Sequence, residues 1–193
     1  MISIRYEKSS DASAREALLD AAYGPVRFTK PSEALRCGRL AADGLSLIAT
    51  DGRARASGGV PGGVVGTVRL WHIDAGGVPA VLLGPLAVHP GYRGRGIGAA
   101  LVDRAIRNAR MRGHRAVLLV GDPEYYGRFG FSAAKTAGLA MPGGCETRRL
   151  LALELVPGAL DRAAGAIVAT GRPVPRRTPS PSVEKPAVMP RAA

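Results

Sequence analysis

A loop rich in glycine and arginine is the part of this sequence whose residue types and spacing best fit a chemical task. Gly94, Gly96 and Gly98 alternate with Arg93 and Arg95 where a predicted strand ends and a predicted helix begins. Glycine lets the backbone approach a ligand closely and adopt positive φ. The free N–H groups of a helix N-terminus bind phosphate, and arginine adds charge-assisted donors. The loop therefore predicts a binding site for a pyrophosphate.

Two other nucleotide-binding motifs fit this loop less well. A P-loop requires Gly-Lys followed by Ser or Thr, and residues 96–98 contain neither the lysine nor the hydroxyl. Gly94-x-Gly96-x-x-Ala99 matches the residue types and the spacing of the dinucleotide-binding fingerprint. However, five residues separate the strand from the first glycine, and too little chain follows Val120 to complete a doubly wound sheet.

The elements that must position this loop follow from hydrophobic periodicity and from the places of glycine and proline. Before the loop, strands are predicted at residues 3–6, 45–50, 64–73 and 79–88, and helices at residues 11–22 and from Pro31 onwards. Residues 51–63 have the composition of a loop. Because no helix separates the last three of these strands, we expect them to pair antiparallel.

After the loop, helices and strands alternate. A helix is predicted at residues 97–112, because Ile97, Leu101, Ala105 and Ala109 share one face and Gly113 is suited to end it. A strand at residues 116–120 follows, then a short helix at 123–128 with Asp122 as its cap and Pro123 in its first turn, and a final strand at 150–156 paired with a short one near 139–140. The strands at 79–88 and 116–120 are joined through a helix and should run parallel.

Composition and charge limit the classes of protein that the chain can belong to. It has 193 residues, no apolar run long enough to cross a membrane, and no apolar stretch at its start that would serve as a secretory signal. Two cysteines, Cys37 and Cys145, cannot form a disulfide framework or a four-ligand zinc site alone, so no metal site is expected. These features favour a reducing, cytoplasmic setting.

The basic charge is divided between two regions. The net charge is +12, and residues 172–193 are rich in proline and carry five basic residues and one acidic residue, a net charge of +4. We expect this segment to be a disordered tail and residues 1–171 to form the folded domain, with a charge of +8. Nucleic acid is not favoured as the partner, because the sequence has neither interleaved aromatic residues nor a recognised motif.

The loop and its flanking segments resemble a known family. The pattern Arg93-x-x-Gly96-x-Gly98, following Leu-Ala-Val-His-Pro-x-Tyr at residues 86–92, resembles the acetyl-CoA loop of the GNAT superfamily of N-acetyltransferases. The predicted order of elements also resembles the mixed α/β sheet of that superfamily. Residues 83–90, 121–131 and 155–160 look like the YhbS-like branch of bacterial predicted acetyltransferases.

This resemblance implies a fold and a cofactor site. The fold is a mostly antiparallel mixed sheet flanked by helices, in which a splayed pair of parallel strands forms the acetyl-CoA cleft, opened by a bulge that we expect at Pro85. Backbone groups of Leu86, Ala87 and Val88 would bond the acetyl carbonyl and the pantetheine arm of acetyl-CoA. The residues that would hold its pyrophosphate are Arg93, Gly94, Arg95, Gly96, Ile97, Gly98 and Ala99.

A tyrosine is the one catalytic residue that the resemblance implies. The family's spacing of a tyrosine, three residues and Gly-Phe selects Tyr126, not Tyr125, and a phenol near the sulfur can protonate the leaving thiolate. The alternative is a packing tyrosine in an aromatic cluster with Phe129 and Phe131. An asparagine that the family usually has about one turn upstream is absent, and residues 121–123 stand in its place. No general base is assigned; the residues considered and set aside are His72, His89, Asp122 and Glu124.

The sequence therefore predicts an N-acetyltransferase that moves an acetyl group from acetyl-CoA to a primary amine by direct attack in a ternary complex. The alternative is a non-catalytic domain that binds acyl-CoA or regulates another protein. The amine acceptor is unidentified: small amines, antibiotics, amino acids and protein N-termini all remain open. A homodimer is also left open.

Overall fold

The chain folds around one mixed β-sheet. The computed structural model describes residues 1–56 and 60–175, and within these ranges the sheet has eight strands. The strands are β1 (Ile2–Tyr6), β2 (Ser46–Asp51), β3 (Val64–Ala75), β4 (Pro79–Val88), β5 (Ala116–Val120), β6 (Leu139–Ala140), β7 (Leu150–Glu154) and β8 (Gly165–Ala169). Their main path is β1-β2-β3-β4-β5-β7, while β8 pairs with β3 and β6.

Four α-helices accompany the described part of the sheet. They are α1 (Ala12–Tyr23), α2 (Gly52–Ala56), α3 (Ile97–Met111) and α4 (Pro123–Tyr126). The predicted helices at 11–22 and 97–112 are confirmed, and so is the short helix capped by Asp122, whose carboxylate accepts the Glu124 N–H at 3.1 Å. The helix predicted from Pro31 is only a 3₁₀ turn, Pro31–Glu33. Helix α2 lies within residues 51–63, which were predicted to form a loop. Residues 57–59 of that stretch lie outside the described residues.

The predicted antiparallel meander before the loop and the predicted parallel pair of strands around it are confirmed. β2, β3 and β4 form an antiparallel meander, and β4 and β5, joined through α3, run parallel. All other pairings along the main path are antiparallel. The sheet is therefore the mixed, mostly antiparallel one expected from the resemblance.

Two predictions for the C-terminal strands are wrong. The short strand Leu139–Ala140 pairs with β8 in parallel rather than with β7, and β7 instead pairs antiparallel with β5. β7 is also not the last strand, because β8 follows it and pairs with the end of β3. β8 escaped prediction because only Ile167 among its five residues is buried, so it has no alternation of apolar and polar residues to detect.

The two long helices cover opposite faces of the sheet. Ile97, Leu101, Ala105 and Ala109 are all buried on one face, in one cluster with Leu47. The neighbouring residue of β2 packs with α1 on the other face. Successive residues of a strand point to opposite faces, so β2 is buried on both sides. The apolar face predicted for α3 is therefore confirmed. Its packing against the sheet holds the start of the helix in place.

The segment predicted as a tail begins with residues that pair with the domain. The Leu40 N–H donates to the Arg172 carbonyl at 2.8 Å, and the Val174 N–H donates to the Gly38 carbonyl at 2.9 Å. Residues 176–193, which make up the rest of the predicted tail, lie outside the described residues. In the part of the chain that is described, no helix is both long and apolar enough to cross a membrane.

Candidate functional site

A β-bulge interrupts the strand that leads to the glycine loop. Val68 of β3 pairs with Leu86, but Leu70 pairs with Leu83, so two residues of β4 lie opposite the single residue between Val68 and Leu70. These two residues are Gly84 and Pro85, which confirms the bulge predicted at this proline. A bulge bends its strand and ends regular pairing.

Beyond the bulge, β4 separates from its parallel neighbour. The two strands pair only at Val81 with Val117 and at Leu82 with Leu118. β4 nevertheless continues to Val88, where it still pairs with β3. A gap therefore opens on one side of residues 83–88, while their other side stays bonded to the sheet.

The backbone of this stretch presents alternate residues to the gap. The His89 N–H donates to the Val65 carbonyl at 2.9 Å. In an antiparallel pair of strands, every second residue exchanges backbone hydrogen bonds with the residue opposite it. Ala87, two residues before His89, therefore directs its N–H and C=O at Thr67. The N–H and C=O of Leu86 and Val88 point the other way, into the gap. The Leu86 carbonyl accordingly accepts a hydrogen bond from the Tyr23 hydroxyl, which reaches it from the end of α1. Of the three backbone positions predicted to contact acetyl-CoA, two therefore face the gap.

The glycine loop continues from the end of β4 and forms one wall of a cavity. Gly94 and Gly96 have φ values of 76° and 73°, a left-handed conformation that residues with a Cβ rarely adopt. Gly96 is the N-cap of α3, so the free N–H groups of that helix open onto the loop. The cavity has a volume of about 430 Å³, and it is lined by Val88, Tyr92, Arg93, Gly94, Gly96, Ile97, Gly98, Ala99, Tyr125 and Arg128.

The cavity has the charge and the shape of an anion site. Its described lining includes two arginines, Arg93 and Arg128, and no carboxylate. The opposite wall comes close to the helix start, since a Cβ added to Gly98 would lie 3.0 Å from the Tyr125 hydroxyl oxygen. Helix N–H groups, arginines and a backbone free of side chains are the features that bind a pyrophosphate.

Seven of the ten predicted cofactor-binding residues line this cavity, and three do not. Leu86 and Ala87 lie further up the strand. Arg95 turns outward: its guanidinium stacks over the Tyr92 ring at 4.7 Å and donates to the Gly91 carbonyl at 3.2 Å. A loop sequence does not tell which of two neighbouring arginines faces the ligand, because that depends on the turn.

Three lining residues were not predicted from the sequence: Tyr92, from the turn before Arg93, and two residues of the segment around α4. Tyr125 and Arg128 come from α4 and the turn after it, and the Arg128 guanidinium stacks over the Tyr125 ring at 4.0 Å. Tyr125 and Arg128 lie in the same aromatic segment in which the family's spacing selects Tyr126, and that segment was the only sequence feature that pointed to them. Only the folded chain shows that Tyr125 and Tyr126 face different surroundings.

Tyr126 lies behind the cavity in an aromatic cluster. Its ring centroid is 4.9 Å from that of Tyr125 and 5.9 Å from that of Phe131. Burial raises the pKa of the Tyr126 hydroxyl, and the nearby Tyr23 and Tyr125 raise it further. Within the described residues this hydroxyl has no hydrogen-bond partner, so it remains a free donor.

The four residues considered as a general base lie elsewhere. The His72 ring packs against His114 at 5.4 Å between centroids, and the His89 ring accepts the Gly91 N–H at 3.2 Å. Asp122 and Glu124 lie at the start of α4 beside two arginines. None of these four side chains lines the cavity at the loop or the bulge.

A second cavity lies at the bulge, on the α1 side of β4. Its volume is about 150 Å³, and Arg69, Trp71 and Pro85 form the wall that belongs to the sheet. Two carboxylates, Glu16 and Glu33, also line it. Sequence reasoning missed both, because Glu16 lies on a helix and Glu33 in a turn, and no motif marks either one.

Comparisons with known proteins agree with this geometry. A family model described as an acetyltransferase (GNAT) domain matches residues 43–133. The uncharacterized N-acetyltransferase YhbS of Escherichia coli K12 is 35% identical over 136 residues, which cover 68% of this chain and 74% of YhbS.

Solved structures give the same result. The crystal structure of Escherichia coli YhbS in complex with CoA superposes with a TM-score of 0.70 at 31% identity, covering 87% of this chain and 89% of that one. A GNAT family acetyltransferase from Brucella melitensis, crystallised with acetyl-CoA, gives a TM-score of 0.60 at 28% identity, covering 81% and 90% of the two chains.

Proposed function

Because this chain belongs to the GNAT superfamily of N-acetyltransferases, we propose that it transfers the acetyl group of acetyl-CoA to a primary amine by direct attack in a ternary complex. The observation that carries the proposal is the meeting of the splayed strand with the glycine loop. Val88, the last residue of β4, lines the same cavity as the start of α3. Relatives crystallised with CoA and with acetyl-CoA support this assignment.

The residues of the cavity fit the pyrophosphate of acetyl-CoA. The N–H groups at the start of α3 and the turn at Gly94 and Gly96 would bind its oxygens, and Arg93 and Arg128 would neutralise part of their charge. Gly98 keeps the helix start open, since a side chain there would meet the Tyr125 hydroxyl. The pantetheine arm would follow the gap beside residues 83–88.

The backbone facing the gap would stabilise the charge that develops during transfer. The amine nitrogen attacks the thioester carbonyl carbon, whose oxygen gains negative charge before the carbon–sulfur bond breaks. N–H groups of Leu86 and Val88 point to that side of β4, where a donor acts as an oxyanion hole. The amine loses one proton in the process, and the departing sulfur gains one.

Tyr126 would supply the proton for the departing sulfur. Its raised pKa means that the phenol keeps its proton at neutral pH, and its hydroxyl is not engaged by any described residue. A phenol that donates to the sulfur makes the thiolate a better leaving group.

A specific observation favours the alternative, a domain that binds acyl-CoA without catalysis. None of the four residues considered as a general base lines the cavity at the loop or the cavity at the bulge, so no assigned group takes the proton of the amine. If the protein is such a domain, it will bind acetyl-CoA but will not consume it.

Release of free CoA thiol separates these two functions. The full chain is incubated with acetyl-CoA and a panel of primary amines, and thiol is measured together with the mass of each amine. A catalyst produces thiol and an acetylated amine in equal amounts. Unchanged acetyl-CoA with every amine, despite demonstrated binding, would replace the proposal by the non-catalytic alternative.

A further inference from the structure

The second cavity, at the bulge, has side chains suited to a small polar ligand. It lies between α1, the turns that follow α1, and the strands β3 and β4. Pro85 of the bulge forms part of its wall, so the cavity adjoins the strand that carries the proposed oxyanion hole. A ligand bound in this cavity would therefore lie beside the thioester of acetyl-CoA.

Arg36 is the most unusual side chain of this cavity. Its side chain is 7% exposed, and its Nη2 lies 2.8 Å from the Glu33 Oε2. The Nε is buried without a hydrogen-bond partner, and no described residue accepts from Nη1. Burial lowers the pKa of this guanidinium. A buried cation with open donors is costly, and an oxyanion in the cavity would remove that cost.

Glu33 offers an open acceptor next to this arginine. Only its Oε2 is paired, and no described residue donates to its Oε1. Glu16, the other carboxylate of the cavity, has both oxygens occupied, by Arg15 and by Arg27, each at 2.7 Å. Glu33 is therefore the carboxylate that is free to hold an ammonium group.

The rest of the wall combines apolar side chains with two arginines, Arg27 and Arg69, each of which is already paired with a carboxylate. Leu19 and Trp71 are buried, while the Phe28 ring is 59% exposed at the edge of the cavity. The Arg27 guanidinium lies 4.2 Å from the centre of the Phe28 ring. The cavity thus places an apolar surface beside a pair of adjacent, opposite charges, each with a free hydrogen-bonding position.

We propose that this cavity is the acceptor site, and that it takes a free α-amino acid with an apolar side chain. Glu33 holds the amine, Arg36 holds the carboxylate on the neighbouring carbon, and Leu19, Phe28 and Trp71 contact the side chain. The identification as an acceptor site rests on the proposed acetyl transfer. A peptide N-terminus has an amide in place of the carboxylate and would leave the open donors of Arg36, Nε and Nη1, without a charged partner.

A pair of nearly isosteric ligands tests the role of Arg36. Binding of L-leucine and of L-leucinamide to the full chain saturated with CoA is measured by ligand-observed NMR. L-Leucinamide keeps the amine and the side chain and lacks only the negative charge. We expect L-leucine to bind at least about tenfold more tightly, the effect typical of a charge-assisted hydrogen bond. Equal binding of the two ligands, or no binding of L-leucine, would overturn the proposal.

Substitutions identify the residues that discriminate. Arg36→Gln should remove the preference for L-leucine, whereas Arg148→Gln, which removes the same charge from an exposed site, should keep it. If Arg36→Gln does not fold, Glu33→Gln provides the test. It should weaken the binding of L-leucine and of L-leucinamide by the same factor. A preference that survives in a folded Arg36→Gln protein, or unchanged affinities in Glu33→Gln, would contradict the assignment.

The binding measurement is independent of catalysis. Thiol release from acetyl-CoA with each ligand is followed in parallel. Selective binding of L-leucine without thiol release from any amine would support the amino-acid site and count against the transfer reaction. Transfer to amines with no preference for the carboxylate would support the reaction and count against this acceptor class.

Discussion

At the scale of single residues, burial determines which form of a group is present. The Tyr126 ring is packed between other aromatic rings, and the loss of water raises the pKa of its hydroxyl. A raised pKa keeps the phenol protonated to higher pH than a free tyrosine. The residue is therefore suited to donate a proton and unsuited to accept one.

Replacing Tyr126 by phenylalanine tests this role. We expect kcat to fall by about 100-fold, within the usual contribution of a general acid, while the dissociation constant of acetyl-CoA stays unchanged. Tyr6→Phe serves as the control, because Tyr6 is 45% exposed, lines neither cavity of the candidate site, and loses only a 3.5 Å hydrogen bond from Asn108. The wild-type kcat should show no alkaline loss from Tyr126 below about pH 10. An unchanged kcat in Tyr126→Phe would remove the acid role.

Sequence patterns selected some of the candidate site residues and not others, for a physical reason. The glycine loop and Tyr126 were predictable because each lies in a short segment with fixed spacing. Glu33 and Arg36 were not, because their proposed role comes from a cavity that forms only when their turn packs against the bulge. Residues brought together by folding leave no local pattern.

At the scale of elements, contact between α3 and β3 fixes the start of the helix that borders the loop. A Cβ added to Gly66 of β3 would lie 3.0 Å from both the Ile97 Cγ2 and the Leu101 Cδ1. Ile97 is the first residue of α3 and also lines the cavity. The glycine therefore allows a close approach that positions the N–H groups proposed to bind phosphate.

Gly66→Ala should damage stability and binding together. We expect the free energy of unfolding to fall by about 1–3 kcal/mol, as in an overpacked core, and acetyl-CoA to bind more weakly because Ile97 must move. Gly52→Ala is the matched control, since a Cβ at Gly52 meets nothing within 4 Å. Thermal unfolding and calorimetric titration measure the two effects. A destabilised Gly66→Ala protein with unchanged affinity would show that α3 does not position the site.

An ion pair between the partly exposed Arg5 and the largely buried Asp11 joins β1 to the start of α1. The Arg5 guanidinium donates to both carboxylate oxygens of Asp11, at 2.8 and 2.9 Å, and the Lys8 N–H donates to the same carboxylate at 2.7 Å. The hydrogen bond from Arg5 is the largest cause that lowers the pKa of Asp11 to about 2. Such a group stabilises the fold when it is ionised, above the pKa it has in the unfolded chain.

Asp11→Asn should therefore have an effect that depends on pH. At pH 7 we expect the free energy of unfolding to fall by about 1–2 kcal/mol, after allowing for the partly exposed Arg5. The difference from wild type should shrink as pH falls from about 4 towards 2, because Asp11 then becomes protonated in both states. Urea unfolding across this range measures it, with the exposed Asp103→Asn as control. An equal loss at pH 2 and pH 7 would show that the charge of Asp11 contributes nothing.

At the scale of the whole molecule, the positive charge separates into parts with different roles. The net charge is +12, and residues 176–193 carry +3 of it. Arg93 and Arg128 line the cavity proposed for pyrophosphate. We propose that the N-acetyltransferase domain ends close to the predicted boundary at residue 171, extended by the residues that pair with Gly38 and Leu40.

Truncation locates that boundary. A chain of residues 1–175 should match the full chain in unfolding midpoint and acetyl-CoA affinity, and should elute from immobilised DNA at lower salt because it has lost charge. A chain of residues 1–171 should unfold at a lower temperature, since it loses the bonds of Arg172 and Val174 to the domain. Equal midpoints for the two truncations would place the boundary at residue 171. A lower midpoint for the 1–175 chain would show that later residues stabilise the fold.

Most of the architecture was predictable, and the exceptions share a cause. The meander, the parallel crossover and α3 carry strong periodic patterns, whereas β8 has one buried residue among five and was not detected. The pairing partner predicted for the short strand β6 was wrong for the same reason, because its actual partner is β8. Pairing with a strand that has no pattern of its own cannot be deduced before the fold is known.

The central claim is that the glycine loop at the end of the splayed strand binds acetyl-CoA, and calorimetric titration tests it most directly. Wild type and Gly113→Glu should bind acetyl-CoA alike, and Gly96→Glu should give no measurable heat. Gly96 and Gly113 have φ values of 73° and 77°, so both substitutions introduce similar strain and the same charge, but only Gly96 lines the cavity. Absence of heat with the wild type, or wild-type affinity in Gly96→Glu, would contradict the claim.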